Sequence, residues 1–145
     1  MRLKFLLLSF CSVFLFSLPV KAGQLVFWRF DPSSNRLVFT TNGGVQPKAI
    51  LIANPTRLII DLPGTTFQRR TVTQPLAGAL HTLRVGQLDA RTARLVVELD
   101  PGYTLDPRQI VFRGTTPEQW SVQIPQPQRM DSAQLSNCLA RQNCL

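Results

Sequence analysis

The 145-residue sequence predicts an all-β fold, a β-sandwich of two small pseudo-symmetric sheets, and three observations carry that expectation. Between Gln24 and Pro125, short apolar runs alternate with turn residues and no helical period is present. Each run has one apolar face, which suits two sheets packed around one core; a closed barrel is the alternative. A strand-and-turn unit also occurs twice. Arg57-Leu58-Ile59-Ile60-Asp61-Leu62-Pro63-Gly64 is echoed 37 positions later by Arg94-Leu95-Val96-Val97-Glu98-Leu99-Asp100-Pro101-Gly102.

Taken in order, the strands are expected near 25–30, 36–41, 48–53, 57–62, 80–86, 93–99, 109–114 and 120–124. Turn chemistry separates them at Asp31-Pro32-Ser33-Ser34, Asn42-Gly43-Gly44, Asn54-Pro55, Pro63-Gly64, Asp89-Ala90, Pro101-Gly102 and Thr116-Pro117. Because side chains alternate along a strand, Leu58, Ile60 and Leu62 share a core face, and Arg57, Ile59 and Asp61 share the other. The echo repeats this, with Leu95, Val97 and Leu99 inward and Arg94, Val96 and Glu98 outward. Were the two copies direct antiparallel neighbours, Arg57 would face Glu98 and Asp61 would face Arg94. The long intervening chain, with a further strand in it, instead favours placing them in separate, symmetry-related sheets. Arg36-Leu37-Val38-Phe39 is a weaker third echo, and so few copies do not make a solenoid or propeller. The longest unassigned stretch, Thr65 to Ala79, carries Arg69-Arg70 and reads as a functional loop.

Residues 1–22 read as a signal peptide. Arg2 and Lys4 give the positive start, Phe5 to Leu18 the apolar run, and Val20-Lys21-Ala22 the small residues before a cut at Gly23. That run falls short of the roughly 20 residues a spanning helix needs, so export to the periplasm is expected, with no stable membrane span. Cys11 leaves with the leader, and the large Phe10 before it argues against lipoprotein processing. Residues 23–126 form the predicted domain, and 127–145 a linker-like tail. Cys138 and Cys144 lie in that tail, as a local disulfide or two free thiols.

Without Arg2, Lys4 and Lys21 the formal charge falls from +8 to +5, and every remaining basic residue except Lys48 is arginine. For an exported protein this matches an anionic envelope polymer or surface, not nucleic acid. Catalytic material is thin. His81 is the single histidine, no Gly-x-Ser-x-Gly elbow or phosphate loop is present, and Asp61 and Glu98 each follow an arginine by four residues, which makes ion pairing the simpler account than a carboxylate pair. No catalytic residue, metal site or cofactor is therefore expected. The candidate binding residues are Arg84 and Gln87, at a strand rim, with Arg69, Arg70 and Arg91 in loops able to reach carboxylates. Arg57, Asp61, Arg94 and Glu98 are read as structural. Trp28 and Trp120 are read as core or half-buried caps.

Asn54-Pro55-Thr56-Arg57-Leu58-Ile59-Ile60-Asp61-Leu62-Pro63, then Leu83-Arg84-Val85-Gly86-Gln87, then Arg94-Leu95-Val96-Val97-Glu98-Leu99, together resemble an AMIN domain. That family stands at the front of periplasmic N-acetylmuramoyl-L-alanine amidases and occurs in pilus secretins. The resemblance spans about Gln24 to Pro125. It implies a β-sandwich of two symmetry-related sheets that binds peptidoglycan and localises its owner, with a separate amidase or envelope protein as a further partner. The zinc catalytic domain of those amidases has no counterpart in the sequence, so a non-catalytic module is expected. The alternatives are a protein-interaction domain docking on an envelope assembly such as a pilus secretin, and a truncated amidase.

Overall fold

The computed structural model describes residues 22–133 and 136; the predicted leader up to residue 21, Cys138 and Cys144 lie outside the described residues. The strands are β1 (Gly23–Asp31), β2 (Arg36–Thr41), β3 (Lys48–Ile52), β4 (Arg57–Pro63), β5 (Thr65–Thr66), β6 (Val72–Pro75), β7 (Leu80–Asp89), β8 (Thr92–Leu99), β9 (Tyr103–Thr104), β10 (Val111–Thr116), β11 (Gln119–Gln123) and β12 (Gln128–Arg129). Two five-stranded sheets, ordered β10-β11-β2-β1-β5 and β3-β4-β8-β7-β6, make the sandwich, and β12 and β9 form a small third sheet.

The period-two pattern decides which faces meet. Leu58, Ile60 and Leu62 of β4, Leu95, Val97 and Leu99 of β8, and Leu83 and Val85 of β7 are buried against Phe30 of β1, Leu37 and Phe39 of β2, and Val122 of β11. Each such aliphatic side chain, taken fully out of water, contributes about 1.5–3 kcal/mol before entropy is counted. Leu25 also enters the core, but the register of β1 shifts between Leu25 and Phe27. That bulge leaves both Val26 and Phe27 exposed on the opposite side.

The placement of the echoed strands corrects the expectation of separate sheets. β4 and β8 are antiparallel neighbours, with Arg57 opposite Glu98, Ile59 opposite Val96 and Asp61 opposite Arg94. The chain between them does not cross to the other layer for good. Only β5 does so, pairing parallel to the start of β1. β6 and β7 then return, and β7 makes a tight hairpin into β8, which leaves β8 free to pair with β4 on its other side. Neighbouring placement also puts both copies' apolar faces on one continuous core surface. The echo therefore does not relate the two sheets to each other. Both copies do end as predicted, with Gly64 and Gly102 at φ of 70° and 83°, a turn conformation that the missing Cβ permits.

Three smaller differences concern segments with little apolar content. The expected loop at Thr65 to Ala79 contains β5 and β6, and all four residues of β6 are exposed. The strand expected at 109–114 begins at Val111, after a 3-10 turn at Pro107–Gln109 that the Asp106 side chain caps by accepting from the Arg108 N–H at 3.0 Å. The start of the tail is tied down: Gln128 and Arg129 pair with Thr104 and Tyr103, and the Met130 N–H donates to the Gly102 carbonyl at 2.8 Å. Among the described residues, no helix is long and apolar enough to cross a membrane.

Candidate functional site

The outward face of the β3-β4-β8-β7-β6 sheet is built from the mixed side of the echoed strands. Residues opposite one another in a ladder lie on the same face, so three transverse rows follow from the register. One runs Lys48, Asp61, Arg94, Gly86; the next Ile50, Ile59, Val96, Arg84, Thr73; the third Ile52, Arg57, Glu98, Thr82, Pro75. Over the middle of these rows lies a cavity of about 270 Å³. Arg57, Arg84 and Arg94 line it, Ile59 and Val96 form an apolar floor, and Thr71, Gly86, Gln87 and Leu88 complete the wall. No acidic residue is in that lining. Gly86 is required by the close approach of Thr71, since a Cβ there would stand 2.8 Å from the Thr71 Oγ1.

The two opposite-charge pairs that the register creates differ. Arg94 donates from Nε to Asp61 Oδ1 at 2.6 Å and from Nη2 to Oδ2 at 2.8 Å, a bidentate pair that raises the guanidinium pKa above its ordinary value. Arg57, facing Glu98 across the same ladder, makes no ion pair with it. Its Nε is shielded from solvent and has no hydrogen-bond partner. A charged donor buried without an acceptor is costly.

Of the sequence-predicted binding residues, the structure brings Arg84 and Gln87 into this groove and leaves Arg69, Arg70 and Arg91 outside its lining. Arg84 is exposed. Gln87 is occupied by the backbone: its Oε1 accepts from the Phe67 N–H, and its Nε2 donates to the carbonyls of Asp89 and, at 3.1 Å, Thr92. It clasps the loop after β5 to the irregular end of the β7–β8 hairpin. Arg69 lies over the Trp28 ring at 6.0 Å, and Trp28 meets Phe67 edge-on at 5.3 Å. Arg70 is exposed in the same loop, and Arg91 sits at the hairpin turn, its carbonyl accepting from the Thr65 N–H. Trp120 packs on the core edge and donates from Nε1 to the Pro117 carbonyl at 3.1 Å.

Arg57, Arg94, Ile59 and Val96 were legible as an outward stripe, but their joint role in a groove needed the ladder that places them side by side. Thr71 was marked only by lying within the stretch from Thr65 to Ala79. His81 Nδ1 stands 2.8 Å from Asp100 Oδ1. Among the described residues, no three His, Cys, Asp or Glu side chains come together as a metal-ligand set.

A family model of the AMIN domain matches residues 24–124, a span that contains both sheets and the whole groove. The chain belongs to the AMIN domain family. No individual curated protein gives a significant match. Membership supports a targeting role at the cell envelope, and the all-β two-layer architecture agrees with it. In this AMIN domain the residues that could have suggested a reaction, His81, Asp61 and Glu98, sit in an exposed pair with Asp100, in an ion pair with Arg94 and opposite an arginine. His81 and Asp61 are thus each held by a neighbouring side chain.

Proposed function

We propose that this AMIN domain is an exported, periplasmic module that binds peptidoglycan and localises cell-wall machinery of the amidase type. The observation that carries the reading is the arginine-lined groove free of acidic residues, on a domain of an envelope-targeting family. Peptidoglycan presents carboxylates on its peptides at regular intervals. A shallow site with guanidinium groups and an apolar floor recognises such a polymer through one short segment. A separate amidase or another envelope protein is the partner this localisation would serve.

The test is co-sedimentation of the chain from Gly23 to Leu145 with purified sacculi. Exposed charges are screened beyond about 8 Å at physiological ionic strength, so pelleting at low salt should fall as salt rises. Failure to pellet at low salt overturns the reading. Capture of envelope proteins without sacculus binding would instead support docking on an assembly.

A further inference from the structure

The groove offers more than a general positive charge, and this step rests on the wall-binding reading above. Its volume of about 270 Å³ lies just under the 300–1,000 Å³ usual for ligand sites, so it suits one terminal residue of a ligand better than a sugar with its peptide. Its three arginines are not equivalent. Arg94 is already bound to Asp61 through two of its three guanidinium nitrogens. Arg57 has an Nε without an acceptor, and Arg84 is exposed with no acidic side chain paired to it among the described residues. These two occupy adjacent rows, with Val96 between their strands and Ile59 beside it.

We propose that the groove is a subsite for a free α-carboxylate borne by a residue with a small alkyl side chain. The carboxylate is held between Arg57 and Arg84, and the alkyl group rests on Ile59 and Val96. Arg94, fixed by Asp61, serves as a wall and not as the main anion ligand. Glu98 stands opposite Arg57 in the ladder, and its repulsion favours a monoanion over a more highly charged group.

The experiment titrates isotope-labelled protein with a short peptide ending in Ala-D-Ala, once as the free acid and once as the C-terminal amide, and with inorganic phosphate. Shifts should concentrate at Arg57, Ile59, Arg84 and Val96, and the amide should bind about tenfold more weakly or worse, the scale of one lost charge-assisted contact. Arg57→Gln and Arg84→Gln should each weaken the free acid by a similar factor, Arg94→Gln by less, and Arg113→Gln on the other sheet not at all. Arg84 is exposed, so its variant keeps the test valid should Arg57→Gln fold poorly. Equal binding of acid and amide, phosphate binding as tightly as the peptide, or indifference to Arg84→Gln would overturn the assignment. Sacculus pelleting that survives those results leaves wall binding intact and moves it elsewhere; peptide binding without pelleting sinks the wall reading and keeps the subsite.

Discussion

One register holds two opposite-charge pairs, and only one of them is closed, which makes their unequal coupling a test of the structure. Asp61→Asn, Arg94→Gln and the double variant form one thermodynamic cycle; Arg57→Gln, Glu98→Gln and their double form the other. Cross-strand charge pairs contribute about 0.2–1 kcal/mol. The Asp61–Arg94 pair belongs at the top of that range, because it is bidentate and its side chains are only 24% and 30% exposed. A coupling of about 1 kcal/mol is expected there, and less than about 0.3 kcal/mol at Arg57–Glu98, within the additivity of independent sites. Urea unfolding reads both, since slopes of about 1–3 kcal/mol per molar turn 1 kcal/mol into a midpoint shift of roughly half a molar. Arg57→Gln alone should cost little, because it also removes a charged donor that lacks an acceptor. Equal coupling in the two cycles, or none at Asp61–Arg94, would refute the reasoning.

Gln87→Ala should destabilise the domain by about 1–3 kcal/mol, because the Phe67 N–H loses its acceptor, and a calorimetric melt would register it; an unchanged melt would return Gln87 to the list of free binding residues. Gly86→Ala should lower the melting temperature and Thr71→Ala should restore part of the loss, since the clash is with the Thr71 hydroxyl; no rescue would mean that the backbone absorbs the strain. Asp31 has its pKa lowered from 3.8 to about 2 by hydrogen bonds from Ser33 and then Ser34. A depressed carboxylate stabilises the fold above its unfolded pKa and loses that contribution as pH falls through the folded one. The wild-type melting temperature should therefore fall more steeply between pH 4 and pH 2 than that of Asp31→Asn, and parallel curves would count against the turn geometry.

Much of the fold was legible because burial writes a period-two signal. Leu58, Ile60 and Leu62, and Leu95, Val97 and Leu99, are inside as their alternation requires. β6 was not legible, because a fully exposed edge strand is held by backbone hydrogen bonds alone and leaves no apolar pattern. Sheet membership failed for a different reason. Alternation says which face a side chain takes, but nothing in it distinguishes a neighbour in the same layer from a strand across the core, and chain separation was a poor guide once a hairpin brought β7 back beside β8. Among the site residues, Arg84 was picked out as a rim residue of a strand ending near Gly86, but β7 runs on to Asp89 and Arg84 lies in its middle. Arg57 was set aside because its spacing from Asp61 matched that of a paired arginine. What separates Arg57 from Arg94 is side-chain geometry, which no spacing encodes.

The antiparallel pairing of the two copies explains why cations gather around an apolar floor. Each copy carries Arg, apolar and acid on its outward face in that order, so reversing one copy against the other sets the arginines on a diagonal, with Ile59 and Val96 at the centre. Along the strand the two arginines are separated by four residues, about 13 Å, so they mark opposite ends of that floor. A third cation from β7 breaks the tie. Arg84 enters at the central row beside Val96 and flanks the apolar floor, while Asp61 occupies Arg94. Parallel placement of the same two sequences would have lined the arginines up in one row with the apolar residues to one side. A carboxylate with a small side chain is the group that such an off-centre arrangement fits, because it meets charge on one side and carbon on the other.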